Sequence, residues 1–222
     1  MINVKNIFET NDRWPLKVTY IKNNIRRSFP AITGTYYVML KDAGITSDDV
    51  TLKNVNAALC CNKEFIINTE NEGASAVVIE YLGLHLLESR YFVQDKLDLG
   101  NLTYMDGGTN TTAVNPGRLG DPVINYVHFP AGMYQTLHTH PSHRIGLVLK
   151  GKGKIELDNS EFDIIEGECF FMRRNELHNF MCPYENEDVV LFVFAPDSGT
   201  GPTDEVNPLK IRTYVGQQRY SR

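Results

Sequence analysis

Three histidines stand close together in the segment GMYQTLHTHPSHRIGLVLKG, which runs from Gly132 to Gly151. Two of them, His138 and His140, are two residues apart in a run whose composition is typical of a β-strand. Side chains two residues apart leave the same face of a strand, so both imidazoles can present a nitrogen to one metal ion. The pattern predicts a metal site that includes His138 and His140.

A second segment, GECFFMRRNELHNF, offers a further ligand. It begins at Gly167, and His178 follows eleven residues later. Both segments place a glycine, which suits a tight turn, before a histidine in a run of strand-forming residues. Together the two segments offer three imidazoles to one site.

These residues resemble the two sequence motifs of the cupin superfamily. The first motif is G-x5-H-x-H-x3-E-x6-G, and the second is G-x5-P-x-G-x2-H-x3-N. Their glycine and histidine positions coincide with Gly132, His138, His140, Gly151, Gly167 and His178. The resemblance covers residues 122–196 and extends faintly over the N-terminal half. It implies an all-β double-stranded β-helix, or jelly-roll barrel, in which three histidines and a glutamate hold a divalent metal ion.

The chain departs from this pattern at the glutamate position of the first motif, where Arg144 stands. Arginine cannot ligate a cation. The set of His138, His140 and His178 resembles the three-histidine iron sites of cysteine dioxygenase and acetylacetone-cleaving dioxygenase, which are both cupins. Three neutral ligands leave open positions for an anionic substrate and for O2. The second motif differs at three further positions, namely Arg173, Asn175 and Cys182.

His143 leaves the size of the ligand set open. Regular strand alternation turns its side chain away from the face of His140, which favours three ligands. A kink at Pro141, which interrupts an ideal strand ladder, would turn His143 back and give a four-histidine metal site. A third interpretation is that no functional metal is bound and the histidines line a polar pocket. His85 and His128 have no partner pattern and are expected to be structural.

Two residues are candidate catalytic groups. If the Arg144 side chain points inward, its planar guanidinium can bind a substrate carboxylate, and if it points outward it is an ordinary surface residue. Tyr134 can serve in acid–base chemistry if it reaches the cavity. Tyr126 and Gln135 could reach the same space, although aromatic residues on strands more often pack in a core.

Short runs of β-branched and aromatic residues, bounded by Gly, Pro, Asn or Asp, recur along the chain. This texture predicts an all-β sandwich or barrel. The runs are PLKVTYI, TYYVML, ASAVVIEYLGL, PVINYVHF, RIGLVLKG, KIELD, CFFM and VVLFVF. Helical periodicity is weak, and the best helical candidates are the short segments 4–9 and 84–90.

The chain also repeats its own pattern. When Val50–Leu82 is displaced by 112 positions onto Phe162–Phe194, the apolar positions coincide without a gap, although few residues are identical. This unbroken register favours a structural repeat and hence two tandem cupin-like domains. The predicted division is a degenerate metal-free domain at 1–100, a linker at 101–121, and a metal-binding domain with a C-terminal tail at 122–222.

The N-terminal half carries no metal-binding set. The repeat places Ile66 at the position of His178. If the same displacement continues upstream, Arg26 and Ser28 stand at the positions of the H-x-H pair. An apolar residue and an arginine cannot build a metal site, so we expect this half to serve packing, dimerisation or closure of the other half.

Composition narrows the classes of function. A net charge of −5 and the lack of any basic run argue against nucleic-acid binding. No apolar stretch reaches the roughly 20 residues that a transmembrane helix needs, and the N-terminus lacks a signal-peptide core. We therefore expect no membrane association and predict a cytoplasmic location. The four cysteines form no C-x-x-C pair and are predicted to be free thiols.

The resemblance implies a divalent metal ion, with Fe2+ favoured over Zn2+, Ni2+ or Mn2+, and a small-molecule substrate. The leading hypothesis is a mononuclear non-haem iron dioxygenase that acts on a small organic molecule. A related hypothesis uses the metal as a Lewis acid for isomerase or lyase chemistry. A hypothesis of another class is a non-catalytic cupin that binds or senses a small ligand. Because cupins commonly pair through sheet edges, the resemblance also implies a homodimer.

Overall fold

The computed structural model shows an all-β protein. It describes residues 4–10, 13–83, 88–104, 107–157, 160–198, 214–215 and 218–219. Within these ranges every extended regular element is a β-strand, and no helix long and apolar enough to span a membrane occurs. The predicted all-β jelly-roll class is confirmed.

The first eight strands form one antiparallel sheet that bends back on itself. They are β1 (Val4–Thr10), β2 (Leu16–Lys22), β3 (Arg26–Phe29), β4 (Thr35–Thr46), β5 (Thr51–Cys61), β6 (Phe65–Asn68), β7 (Ser75–Tyr81) and β8 (Arg90–Val93). The order is β1-β2-β7-β4-β5-β8, with β6 beside β4 and β3 beside β6. The register of β4 is irregular between Leu40 and Ala43, so its first part pairs with β7 and its last part with β6.

The C-terminal half builds a barrel from two sheets. Its strands are β9 (Leu102–Thr103), β10 (Thr109–Val114), β11 (Val123–Phe129), β12 (Arg144–Lys150), β13 (Lys152–Leu157), β14 (Ser160–Ile165), β15 (Cys169–Met172), β16 (His178–Met181) and β17 (Val189–Ala195). One sheet has the order β15-β12-β17-β11-β10-β9, and the other has the order β14-β13-β16. A separate short pair consists of β18 (Tyr214–Val215) and β19 (Gln218–Arg219).

The segment 101–121, which the sequence analysis assigns to a linker, contributes two strands to the C-terminal barrel. Strand β10 pairs with β11 along most of its length, with Asn110 opposite Val127. Strand β9 extends the same sheet by pairing with β10. The Gly, Asn and Thr content of segment 101–121 favours turns. Main-chain hydrogen bonds with the neighbouring strand override that local preference.

Three apolar clusters hold the fold together. One fills the interior of the N-terminal half, where Phe29, Tyr36 and Phe65 pack with ring centroids 4.9–5.9 Å apart. A second lies between the two sheets of the C-terminal barrel. The third joins the halves, with side chains of β2, β4, β5 and β7 facing those of β10, β11, β12 and β17. The halves therefore share a continuous buried interface, and their division into two domains stays a prediction.

The repeat seen in the sequence reappears in part in the strand pairing. In the N-terminal half, β4 pairs with β7 so that Val38 is opposite Val78. In the C-terminal half, Lys150 of β12 is opposite Val190 of β17, and both members of this pair are displaced by 112 residues. Before the register shift between Val148 and Lys150, the β12–β17 ladder is offset by one residue from that displacement.

The helical prediction for residues 4–9 is wrong. This segment forms β1 and pairs antiparallel with β2, with Val4 opposite Ile21 and Glu9 opposite Lys17. Edge-strand pairing overrides the weak helical periodicity of a short segment. The second helical candidate spans 84–90, of which residues 84–87, including His85, lie outside the described residues, while Arg90 begins β8.

Two glycines of the motif pattern occupy turns that require a positive φ. Gly151, with φ of 84°, connects β12 to β13, and Gly167, with φ of 80°, connects β14 to β15. A side chain is strained in this left-handed region, and glycine is not. A Cβ at Gly151 would also overlap the carbonyl oxygen of Asp188. These turns set where β13 and β15 begin around the barrel.

Candidate metal centre

The segment of the first motif lies beside β16 as an irregular strand. The N–H of Gln135 donates to the carbonyl of Phe180 at 2.9 Å. Further along, the N–H of His138 donates to the carbonyl of His178 at 2.9 Å, and the N–H of His178 donates back at 3.0 Å. These main-chain bonds join the two motif segments and place His138 directly opposite His178.

His138, His140 and His178 bring their imidazoles together in the C-terminal barrel. The ring centroids are 4.9 Å apart for His138 and His140, 4.5 Å for His138 and His178, and 5.1 Å for His140 and His178. One nitrogen of each ring lies within 4.8 Å of the others, and no other such group of three occurs in the described ranges. Nitrogens bound at about 2.0–2.1 Å to one ion lie roughly 3–4 Å apart, so small side-chain movements complete the site.

Hydrogen bonds from the ring nitrogens orient two of the imidazoles. His138 Nδ1 lies 2.8 Å from the carbonyl of Thr136, and His178 Nδ1 lies 2.8 Å from the carbonyl of Glu176. A carbonyl only accepts, so each Nδ1 carries the proton and each Nε2 is left with a lone pair, as metal ligation requires. Within the part of the chain that the structure describes, His178 Nε2 is buried without a hydrogen-bond partner, as is His140 Nδ1. These buried lone pairs fit a divalent metal ion.

Burial and neighbouring charges keep the imidazoles of His140 and His178 neutral at neutral pH. Burial, together with the charge of Arg144 and the neighbouring imidazoles, holds the pKa of His140 far below its ordinary value. Burial also lowers the pKa of His178 to about 4, with His138 acting in the same direction and the hydrogen bond to Glu176 opposing it. Neutral imidazole is the form that binds metal, so no proton has to leave these two rings at neutral pH.

Arg144 points inward, towards the histidines. Its Nη1 donates to Ser142 Oγ at 2.6 Å and to the main-chain carbonyls of Ser142 and His143 at 3.3 and 2.9 Å. Burial lowers the pKa of the Arg144 guanidinium to about 10, while the charge of Asp197 acts to raise it. The guanidinium is therefore cationic at neutral pH. Of the two orientations that the sequence leaves open, the structure has the inward one.

His138, His140 and Arg144 line one cavity of about 450 Å³. This volume lies within the range of sites for small molecules. Apolar side chains form one part of its wall and polar groups another. The lining residues are Tyr104, Asn110, Val123, Asn125, Val127, Phe129, Gln135, His138, His140, Arg144, Met172, Phe180, Val193, Ala195, Asp197 and Ser198.

His143 lies apart from the three-histidine cluster. Its ring packs against Trp14, with centroids 6.1 Å apart, and against Phe171, with centroids 5.6 Å apart. Its Nδ1 accepts the N–H of Arg174 at 3.2 Å. Because strand alternation holds at the start of β12, His143 turns towards the interface between the halves while Arg144 turns into the barrel. The geometry does not support the four-histidine alternative.

The tyrosines predicted to reach the cavity do not line it. Tyr134 is 59% exposed, because the buried Gln135 next to it takes the inward position. Tyr126 is buried on the opposite face of β11, where its hydroxyl donates to the carbonyl of Asp98 at 2.7 Å. Val127, its neighbour, faces the cavity instead. Neither tyrosine is placed to act on a molecule bound beside the histidines.

Asp197, Asn110 and Tyr104 line the cavity and were not predicted from the sequence. Asp197 stands in APDSG, whose composition is typical of a loop, and Asn110 and Tyr104 stand in the segment assigned to the linker. Asn125 could have been found from the sequence, because strand alternation places it between Val123 and Val127 on one face of β11, as a polar residue among apolar ones. His128, expected to be structural, lies 3.0 Å from Asp188 through its Nε2 and lines no part of the cavity.

The equivalent place in the N-terminal half lacks metal ligands. Ile66 in β6 pairs with Ser28 in β3, as His178 pairs with His138. The pairing therefore puts Ser28, rather than Arg26, at the position of His138, because the displacement between the halves changes by two residues upstream. Phe29 and Phe65 fill the adjacent interior. This half contains no histidine cluster in the ranges that the structure describes.

Comparisons with known proteins agree with this geometry. The model of the cupin domain family, Cupin_2, matches residues 125–194, which include all three clustered histidines. No curated protein sequence matches the chain at a significant level.

Several solved structures share the fold. A cupin 2 conserved barrel domain protein from Leptotrichia buccalis has a TM-score of 0.60 at 16% identity, covering 87% of this chain and 88% of that one. Salicylate 1,2-dioxygenase from Pseudaminobacter salicylatoxidans has a TM-score of 0.58 at 10% identity, covering 82% and 70%. AerE from Microcystis aeruginosa has a TM-score of 0.56 at 15% identity, covering 88% and 93%. Residues 125–194 therefore match the cupin domain family, and the chain shares the cupin barrel fold with these structures over most of its length.

Proposed function

We propose that the protein is a metal-dependent enzyme, a mononuclear non-haem iron dioxygenase that acts on a small organic acid. One observation carries the proposal: three imidazoles cluster at the wall of a cavity, and the cationic side chain of Arg144 lines the same cavity. His138, His140 and His178 would hold the metal ion. Such an ion supplies Lewis acidity and, as iron, the capacity to react with O2.

Arg144 binds and orients the substrate in this proposal. Its guanidinium can form two parallel hydrogen bonds with a carboxylate, which fixes both the position and the plane of that group. Its Nη1 is held by Ser142 and by the carbonyl of His143, so the fork is positioned before a substrate arrives. Little rotational freedom of the side chain is then lost on binding.

The apolar wall of the cavity excludes water from the bound substrate. Phe129, Phe180 and Met172 lie on this wall, and each is less than a tenth exposed. In a water-poor cavity the interaction between Arg144 and a carboxylate is stronger than in bulk solvent. A flat apolar body with one carboxylate fits these surroundings.

The structural comparison supports the enzyme class. Salicylate 1,2-dioxygenase, a named dioxygenase, has the same fold as this chain. Lewis-acid isomerase or lyase chemistry would use the same ligands and differs by not consuming O2. A non-catalytic cupin would bind a ligand without converting it.

The test measures metal and O2 on the same purified sample. We expect close to one metal ion per chain by inductively coupled plasma mass spectrometry. We also expect O2 consumption in an oxygen-electrode assay after iron loading, in the presence of a panel of small aromatic and aliphatic acids. A His143→Gln variant is the matched control, since it removes a buried histidine outside the cluster and should keep both signals.

The outcomes separate the alternatives. A protein that holds no metal, and takes up none on addition of iron or zinc, contradicts the proposal as a whole. A protein that holds metal and consumes no O2 with any acid contradicts the dioxygenase assignment and favours the Lewis-acid or ligand-binding form. Formation of a homodimer and a cytoplasmic location are further proposals, and light scattering on the purified chain checks the first.

A further inference from the structure

Asp197 is a buried residue of the cavity whose carboxylate Oδ1 has no hydrogen-bond partner among the described residues. It follows the end of β17, is 7% exposed, and lines the same cavity as Arg144. Its Oδ1 is buried and accepts no hydrogen bond in the described part of the chain. A buried acceptor without a donor is unfavourable, and a charged acceptor more so. A ligand that brings a donor to Asp197 removes this penalty.

In the described ranges, Asp197 and Arg144 form no hydrogen bond or ion pair with each other. In the described ranges Arg144 donates only through Nη1, to Ser142 and to the main chain, and forms no ion pair with Asp197. Burial lowers the pKa of Arg144 while the charge of Asp197 opposes that shift, so the two groups act on one another across the cavity. The cavity therefore presents a cation and an anion that line the same space without forming an ion pair in the described ranges.

The two groups enter the cavity from neighbouring strand ends. Ile145 in β12 is opposite Phe194 in β17, and Arg144 immediately precedes Ile145. β17 ends at Ala195, two residues before Asp197. Because both side chains line one cavity of about 450 Å³, a small ring with two substituents fits between them.

Asn110 adds a second acceptor to the cavity. Its Oδ1 is also buried and has no hydrogen-bond partner in the ranges that the structure describes. An amide can rotate and present its NH2 group instead, whereas a carboxylate has no donor to turn inward when ionised. Asp197 therefore carries the argument, and Asn110 strengthens the preference of the cavity for a ligand with donor groups.

From these relationships we infer that the cavity selects a small carboxylic acid that also carries a hydroxyl or amino group, with the carboxylate on Arg144 and the donor group on Asp197. The inference rests on the proposed function in treating this cavity as the substrate site. It assigns to Asp197 a role in specificity that is separate from metal binding and from the recognition of the carboxylate.

Four benzoates of similar size test the inference. The probes are benzoate, 3-methoxybenzoate, 3-hydroxybenzoate and 3-aminobenzoate, and binding is measured by isothermal titration calorimetry on the protein as isolated, with its metal content measured in the same sample. Only the last two probes carry a donor, and the methoxy compound controls for size. We expect these two to bind at least about ten-fold more tightly than the first two.

Two variants assign the preference to Asp197. Asp197→Ala should bind all four probes within about two-fold of one another, because the variant has no carboxylate to accept a hydrogen bond from the hydroxyl or amino group of the probe. Asp197→Asn keeps the shape and one acceptor, so it should retain part of the preference and shows that loss in the alanine variant does not come from misfolding. Asp163→Ala, which removes a carboxylate on β14 outside the lining of this cavity, should keep the full preference.

Three results would overturn the inference: equal affinity of the wild-type protein for all four probes, failure of all four to bind at millimolar concentration, or retention of the full preference by Asp197→Ala. These results are independent of catalysis, because binding is measured without turnover. A protein that passes this test but consumes no O2 would contradict the dioxygenase proposal alone. A protein that fails it while holding metal would contradict the role of Asp197 alone.

Discussion

His138 and His178 exchange two main-chain hydrogen bonds, at 2.9 and 3.0 Å, and their ring centroids lie 4.5 Å apart. Two candidate metal ligands, 40 residues apart in the chain, are thus set relative to each other by the backbone. The carbonyl of His140 accepts the N–H of Asn175 at 2.7 Å, which ties the third candidate ligand to the same second segment. The fold of the barrel therefore organises the three-histidine cluster.

Removal of one clustered imidazole should abolish tight metal binding. In His178→Ala we expect the affinity for Fe2+ or Zn2+ to fall by more than about 100-fold, since even the loss of an outer hydrogen-bond partner of a ligand costs about 10–100-fold. Equilibrium dialysis with metal quantification measures the change. His143→Gln, with the histidine that packs against Trp14, should bind metal like the wild-type protein. A comparable loss in both variants would restore the four-histidine alternative.

Replacement of Arg144 by the residue that the cupin motif has there should strengthen metal binding. The guanidinium charge lowers the pKa of His140 and His178 and equally opposes a cation held between them. Arg144→Glu removes that charge and adds an anionic oxygen ligand, so we expect metal affinity without substrate to rise at least about ten-fold. Arg144→Gln, which only removes the charge, should give a smaller rise.

The same two variants should lose binding of carboxylates. Benzoate affinity measured by calorimetry should fall at least about ten-fold in Arg144→Gln, because a charge-assisted bidentate contact is lost. It should fall further in Arg144→Glu, where two carboxylates would face each other. Unchanged benzoate binding in both variants would show that Arg144 does not bind the carboxylate.

The spacing of glycine and histidine, through its resemblance to the two cupin motifs, was sufficient to identify the three histidines that cluster, because turns and strand alternation along the chain impose that spacing. The orientation of the Tyr134 side chain was not predictable in the same way. It lies in an irregular strand, and pairing with β16 decides which of Tyr134 and Gln135 faces inward. Asp197 was missed because its position depends on how the chain leaves β17, which no local pattern encodes. Strands were predicted well where β-branched runs were long, and β1 was missed because an edge strand takes its structure from its neighbour.

The contact between Lys41 and Glu166 links the two halves through a buried ammonium group. Lys41 Nζ lies 2.6 Å from Asp42 and 3.1 Å from Glu166, and its side chain is 4% exposed. Desolvation lowers the pKa of Lys41, but its bonds with Asp42 and Glu166 outweigh this effect and raise it. Loss of both carboxylates, in Asp42→Asn/Glu166→Gln, would leave the charge buried without compensation.

We expect the double variant to lower the free energy of unfolding by about 1–3 kcal/mol, less than for a fully buried pair because both carboxylates are half exposed. Lys41→Met should be neutral or stabilising, since it replaces the buried charge by an apolar side chain of similar length. Urea unfolding at neutral pH measures both. Equal destabilisation by the two variants would show that the ion pairs themselves stabilise the joined halves.

Stability should fall at alkaline pH, because three buried neutral groups resist ionisation in the folded state. Burial raises the pKa of Cys61 and of Cys182 to about 12, and that of Tyr36 to about 12. From about pH 9, the thiols of the unfolded chain lose protons that the folded chain keeps, so the folded state binds more protons and the free energy of unfolding decreases as pH rises. The stabilisation is complete below that pH and is lost progressively towards pH 12. Each thiol contributes a slope of up to about 1.4 kcal/mol per pH unit in this window.

Urea unfolding from pH 7 to 11 checks the slope. The double variant Cys61→Ala/Cys182→Ala is less stable at pH 7 because it leaves cavities, yet its stability should fall less steeply above pH 9. The difference between variant and wild type should therefore narrow as the pH rises, whereas the two curves should run parallel between pH 7 and 8. Parallel curves up to pH 11 would show that the two thiols ionise alike in the folded and unfolded chains, and that burial in the two barrel interiors does not hold them neutral.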